Sequence, residues 1–102
     1  MATSTIKSLG YTASSKVKCG ISTSIPSSAT DCYVVVYVAN DASALMESRV
    51  PLNLEENITV WTGASHSFFH FTLSTARSFS VDAVNWYDAN RTSDSYYQLF
   101  YK

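Results

Sequence analysis

The stretches Ser67-Phe68-Phe69-His70-Phe71, Phe79-Ser80-Val81 and Asn85-Trp86-Tyr87, closed by Tyr96-Tyr97-Gln98-Leu99-Phe100-Tyr101-Lys102, decide the fold of this chain. Large rings alternate there with small polar residues, and hydroxyl-bearing punctuation separates the runs. That pattern suits a pleated, half-buried sheet. Tyr and Trp also carry a polar tip on an apolar body, so the rings not needed inside can serve a binding surface.

Working outward, other segments share the strand pattern. In Lys16-Val17-Lys18-Cys19-Gly20-Ile21-Ser22, the residues Val17, Cys19 and Ile21 fall on one face. The segment Ser24-Ile25-Pro26 to Asp31 reads as a turn. Cys32-Tyr33-Val34-Val35-Val36-Tyr37-Val38-Ala39 is apolar on both faces, which predicts a central strand covered on both sides. Asn40-Asp41 breaks it. Residues 42–50 read either as a helical turn or as extended chain. Further strands are predicted over 57–62, 66–74, 78–87 and 95–101. Within 78–87 the inward phase moves from Phe79, Val81 and Ala83 to Val84 and Trp86, so a β-bulge is expected near Ala83. The expected fold is all-β, a single antiparallel β-sandwich or jelly roll of about seven or eight short strands. Residues 1–15 are expected as a loose N-terminal arm and 16–102 as the sandwich domain.

Composition bounds the function. The chain has 102 residues, enough for one domain with its own core. Only 15% are charged and the net charge is −1; Ser and Thr, roughly a quarter of the chain, take the place of the usual charges. With a pI near 6.0 there is no basic surface for nucleic acid or anionic membrane. A net charge near zero favours association, so a homo-oligomer is expected. No signal-peptide pattern opens the sequence, and no apolar run has the length of a membrane span. The sequons Asn57-Ile58-Thr59 and Asn90-Arg91-Thr92 have no secretory context here.

Chemistry-bearing residues are few. Cys19 and Cys32 flank a predicted hairpin. A tight turn at Ile25-Pro26 would set them opposite each other for a disulfide, whereas a longer loop would not; reduced, buried thiols are the favoured reading. His66 and His70 are four apart, which on a strand is about 13 Å, too far to share one ion. The loop Asp88 to Asp94 has oxygen side chains at alternate positions but lacks the Gly and Glu of a calcium loop. No Gly-x-Ser-x-Gly elbow or phosphate loop occurs. Neither metal nor cofactor is expected, no catalytic residue stands out, and an enzyme is not expected.

Aromatic residues are what is left. They make up 14% of the chain, seven of them Tyr. Phe69, Phe71 and Phe79 are assigned to the core. Trp61, Trp86, Tyr87, Asp88, Asn90, Tyr96, Tyr97 and Tyr101 are the ligand or interface candidates, because exposed rings stack on sugars or anchor partners. Cross-strand pairing of rings is the competing, purely structural use.

The run Lys16 to Thr30 with its Ile25-Pro26-Ser27-Ser28 turn, the Val-rich strand after it and the ending Tyr97-Gln98-Leu99-Phe100-Tyr101-Lys102 resemble the small β domains of tailed-bacteriophage virion proteins. That resemblance implies a tail-fibre, minor structural or decoration module in the virion, made in the host cytoplasm. Such modules are often trimeric, and some bind host-surface glycans. The expectation is therefore a non-enzymatic structural or adhesive module that self-assembles, trimer favoured, or contacts other virion proteins, and binds a host glycan. A stand-alone lectin or carbohydrate-binding module is the alternative.

Overall fold

In the computed structural model, residues 9–102 are described. The first eight positions of the expected arm lie outside them. The alternating runs become ten strand segments: β1 (Thr12–Ala13), β2 (Val17–Lys18), β3 (Thr23–Ser24), β4 (Cys32–Tyr37), β5 (Leu45–Arg49), β6 (Ile58–Gly63), β7 (Ser67–Leu73), β8 (Ser78–Trp86), β9 (Ala89–Asn90) and β10 (Tyr96–Tyr101). They form two antiparallel sheets. In the first, β1 and β2 flank one side of β10, followed by β4 and β5. In the second, β3 and β9 flank one side of β8, followed by β7 and β6. The protein is thus an all-β sandwich. Among the described residues no helix is long and apolar enough to cross a membrane.

The core follows from side-chain alternation. Val34, Val36, Tyr97 and Leu99 from the first sheet meet Phe69, Phe71, Leu73, Phe79, Val81 and Val84 from the second, all buried. Phe71, Phe79 and Tyr97 form a run of rings with centroids 5.4 Å apart at each step. The Tyr97 hydroxyl crosses between the sheets and donates to the Ile21 carbonyl at 2.5 Å, with Thr23 and the Phe79 carbonyl each at 3.2 Å. On the outer face of the first sheet, Val35, Tyr37 and Phe100 make a second buried cluster under Tyr11, Ala13, Tyr33 and Leu45. This accounts for a β4 that is apolar on both faces, as its sequence predicts.

The expected bulge is present. Pairing of β7 with β8 runs from His70 opposite Ala83 to Phe71 opposite Val81, so Asp82 is the extra residue. Three other expectations change. The strand expected over 16–22 shrinks to Val17–Lys18, because the chain turns at Cys19-Gly20: the Ile21 N–H returns to the Lys18 carbonyl at 3.2 Å, and Gly20 has φ +94°. Positive φ at the third position is what a type II turn requires. Ile21 consequently lies exposed rather than inward. The Cys19–Cys32 hairpin does not form either. β2 and β4 pair with opposite sides of β10, and both thiols are free and buried. Burial pushes each of them up to about 12, so neither is a nucleophile at neutral pH. Finally, Thr12 and Ala13, expected in the arm, pair with Tyr101 and Phe100.

Candidate binding face on the second sheet

Along β6, Ile58, Val60 and Thr62 turn inward while Thr59 and Trp61 turn out. Trp61 is 59% exposed, one of four large apolar side chains at the surface among the described residues. On β7 the same phase puts Phe68 and His70 outward, alternating with the buried Phe69 and Phe71. The register sets Trp61 opposite His70. Their ring centroids are 4.7 Å apart, and the Phe68 ring meets Trp61 edge-on at 5.3 Å. Behind His70, the bulge swings Asp82 to the same face, and the His70 Nδ1–H donates to the Asp82 carboxylate at 2.5 Å. Re-aiming a side chain is a common effect of a bulge. Asn85 stands opposite Phe68 and extends the polar border.

The result is an outer face with a large exposed indole on its edge strand, the Phe68 ring beside it, and a fixed imidazole–carboxylate pair and an amide further in. A surface of this kind offers an apolar plate to the C–H face of a sugar ring while its hydrogen-bonding groups reach the hydroxyls at the rim. The Asp82 carboxylate fixes the tilt of the imidazole, so the stacking geometry is set before any ligand arrives. Further along the same strands, a depression of about 300 Å³ is lined by Asn57, Ile58, Thr59, Thr72, Leu73, Ser74 and Ser78. It contains hydroxyls and an amide but no ionisable side chain.

The eight aromatic and polar candidates from the sequence do not converge on one place. Trp61 alone belongs to this face, on its edge strand. Tyr87, Asp88 and Asn90 sit at one end of the second sheet, where Tyr87 is 74% exposed. Tyr87 and Asp88 both have positive φ, 52° and 65°, as the two central residues of a type I′ hairpin between β8 and β9. Asp88 is tied to the β6–β7 turn: its carboxylate lies 2.6 Å from His66 Nδ1, and its N–H donates to the His66 carbonyl at 2.9 Å. Asn90 is occupied locally, accepting from the Thr92 N–H and hydroxyl at 3.0 and 2.8 Å. Trp86 is half-buried against the core, with its ring 5.1 Å from that of Tyr87. Tyr96 lies on the first sheet, opposite Tyr37. Tyr101 packs half-buried against the main core. Tyr97 was expected outward and is instead fully buried, because it shares the inward phase of Leu99 and uses its hydroxyl between the sheets.

Phe68, His70, Asp82 and Asn85 complete the face, and the sequence reading did not single them out as a group. The signal was there in part, since Phe68 and His70 must share a face if Phe69 and Phe71 are buried. What was missing was the register that brings Trp61 and Asp82 to them.

A second polar–aromatic group lies at the edge of the first sheet. Arg49 donates to the Asp31 carboxylate at 2.6 Å and to the Tyr33 hydroxyl at 2.8 Å, and the Tyr11 hydroxyl also donates to Asp31. That bond, with burial second, pushes the Tyr11 hydroxyl up to about 12. The Lys102 ammonium sits 4.6 Å from the centre of the Tyr11 ring. These groups saturate one another and clamp the chain end against β4 and β5, so they act as a lock. Among the described residues no group of three His, Cys, Asp or Glu side chains is placed to hold a metal ion.

The fold and face define a small antiparallel β-sandwich with one exposed aromatic plate. No family profile, curated protein or solved structure matches this chain.

Proposed function

We propose that this protein is a non-catalytic recognition module that takes a glycan on the outer face of its second sheet. Trp61 stacks on the apolar face of a sugar ring. His70, held by Asp82, and Asn85 meet its hydroxyls. The observation that carries this reading is the exposure of Trp61 on the outward face of β6, directly beside the His70–Asp82 pair. The indole stands open beside the Phe68 ring, and an exposed aromatic patch of this kind suits a ligand.

The setting suggested by the resemblance to phage virion domains belongs to the same proposal: a structural or adhesive module that assembles with copies of itself and touches a host-surface glycan. A free lectin would use the same face, so the two settings differ in assembly and not in the site. A glycan array probed with the intact chain and with Trp61→Ala tests the reading. Retention of at least one sugar class by the intact chain, and its loss in the variant, is the expected result. An array with no retained sugar, or one on which both proteins behave alike, would overturn it.

A further inference from the structure

Natural sheets protect their edges, because an open edge presents unpaired N–H and C=O groups to any passing strand. Three of the four edges here are protected. In the first sheet, β1 and β2 are two-residue pieces interrupted at Ser14–Lys16, and β5 carries Glu47 and Arg49. On one side of the second sheet lie β3 and β9, again two residues each. The fourth edge is β6. It is six residues long and reads Ile58-Thr59-Val60-Trp61-Thr62-Gly63, with no charge and no proline. Among the described residues, no strand pairs with its outer side.

The hydrogen-bond phase of that edge follows from its inner side. The Ala64 N–H donates to the Ser67 carbonyl at 2.8 Å. Antiparallel pairs alternate between bonded and non-bonded from that point. Thr62 opposite Phe69 and Val60 opposite Phe71 are therefore bonded, and Gly63, Trp61 and Thr59 have their backbone groups turned to the open edge. These three positions are spaced symmetrically about Trp61.

We infer that β6 pairs antiparallel with β6 of a second copy across a twofold axis, with Trp61 opposite Trp61 and Thr59 opposite Gly63. In this register every open N–H and C=O of the three residues finds a partner. Both outer faces stay on the same side, so two second sheets join into one continuous sheet with two indoles side by side at the seam. The net charge of −1 offers little repulsion between copies. A single strand pair is a small interface, so the dimer is expected to be concentration-dependent. This inference stands independently of the glycan reading and gives the expected self-association a twofold seam instead of a trimeric one.

The test is mass in solution, by sedimentation equilibrium from micromolar to millimolar protein with no sugar present. Thr59→Pro and Thr59→Lys are measured beside the intact chain, with circular dichroism to verify the fold. Since the Thr59 N–H faces the open edge, proline removes no bond within the chain. Lysine adds edge charge without touching the backbone. The intact chain is expected to reach twice its monomer mass while both variants stay monomeric. An intact chain that stays monomeric throughout would overturn the inference. So would an oligomer of any size that folded variants retain.

Discussion

Trp61 and His70 meet across the β6–β7 pair with ring centroids 4.7 Å apart and planes tilted by 50°, and the Asp82 carboxylate holds the imidazole from behind at 2.5 Å. The arrangement depends on three separate features: the non-bonded register of one strand pair, the alternation along β7, and a bulge in β8. It separates binding from stability at Trp61. Replacing this exposed ring with Ala is expected to leave the free energy of unfolding within about 1 kcal/mol, the range of one cross-strand aromatic pair. Affinity for a retained sugar should fall by about 30-fold or more, as for a central aromatic anchor. Urea denaturation and titration calorimetry on one preparation report both quantities.

Tyr97 should show the reverse pattern. Its ring is buried, and its hydroxyl joins the sheets through Ile21, Thr23 and Phe79. Tyr97→Phe keeps the ring and removes those bonds, so a loss of about 1–3 kcal/mol is expected in urea denaturation. Sugar binding should be unchanged, because Tyr97 faces away from the plate.

Gly63 is the tightest backbone position beside the plate. It has φ +127°, and a Cβ there would lie 2.5 Å from the Ser67 carbonyl oxygen and 2.7 Å from the Phe68 Cα. Both are backbone contacts that cannot rotate away. Gly63→Ala is expected to destabilise the fold by about 2 kcal/mol or more and to disturb Phe68, which flanks Trp61. A lowered melting temperature together with altered Trp fluorescence would show both effects.

The thiols set the alkaline limit. Burial, helped by a nearby carboxylate in each case, raises Cys19 and Cys32 from 9.0 to about 12. Below pH 9 the thiols are protonated in both the folded and unfolded states, and their contribution is fully present. Between about pH 9 and 12 the unfolded chain loses protons that the native one keeps, so stability falls as pH rises, by up to about 1.4 kcal/mol per unit for each thiol. Denaturation of the intact chain and of a Cys19→Ala, Cys32→Ala double variant across this range should give a shallower slope for the variant. In the native protein both thiols should resist a thiol reagent at neutral pH.

Legibility in the sequence followed the reach of the interactions. β7 and β8 were readable because Phe69, Phe71, Phe79 and Val81 alternate locally, and the bulge showed as a phase slip between Val81 and Val84. β2 was over-extended because the turn at Cys19-Gly20 lies inside an alternating run. The tip Tyr87-Asp88 has no glycine, so nothing local marked a type I′ turn or the short β9 beyond it. Tyr97 was misplaced because β10, like β4, is apolar on both faces, and alternation then does not say which side is inside. The plate itself joins residues up to 24 apart through register alone, from Trp61 to Asn85. Its exposed indole, Trp61, could be named from exposure-prone chemistry, but its neighbours needed the sheet.

Mapping a retained sugar onto the folded chain tests the recognition claim most directly. Backbone and indole NMR shifts of the isotopically labelled protein would be followed as that sugar is added. The proposed function predicts changes concentrated on Trp61, Phe68, His70, Asp82 and Asn85, with the Trp61 indole N–H moving furthest. Changes confined to the first sheet, around Tyr33 and Tyr96, or a spectrum unmoved at saturating sugar, would contradict it.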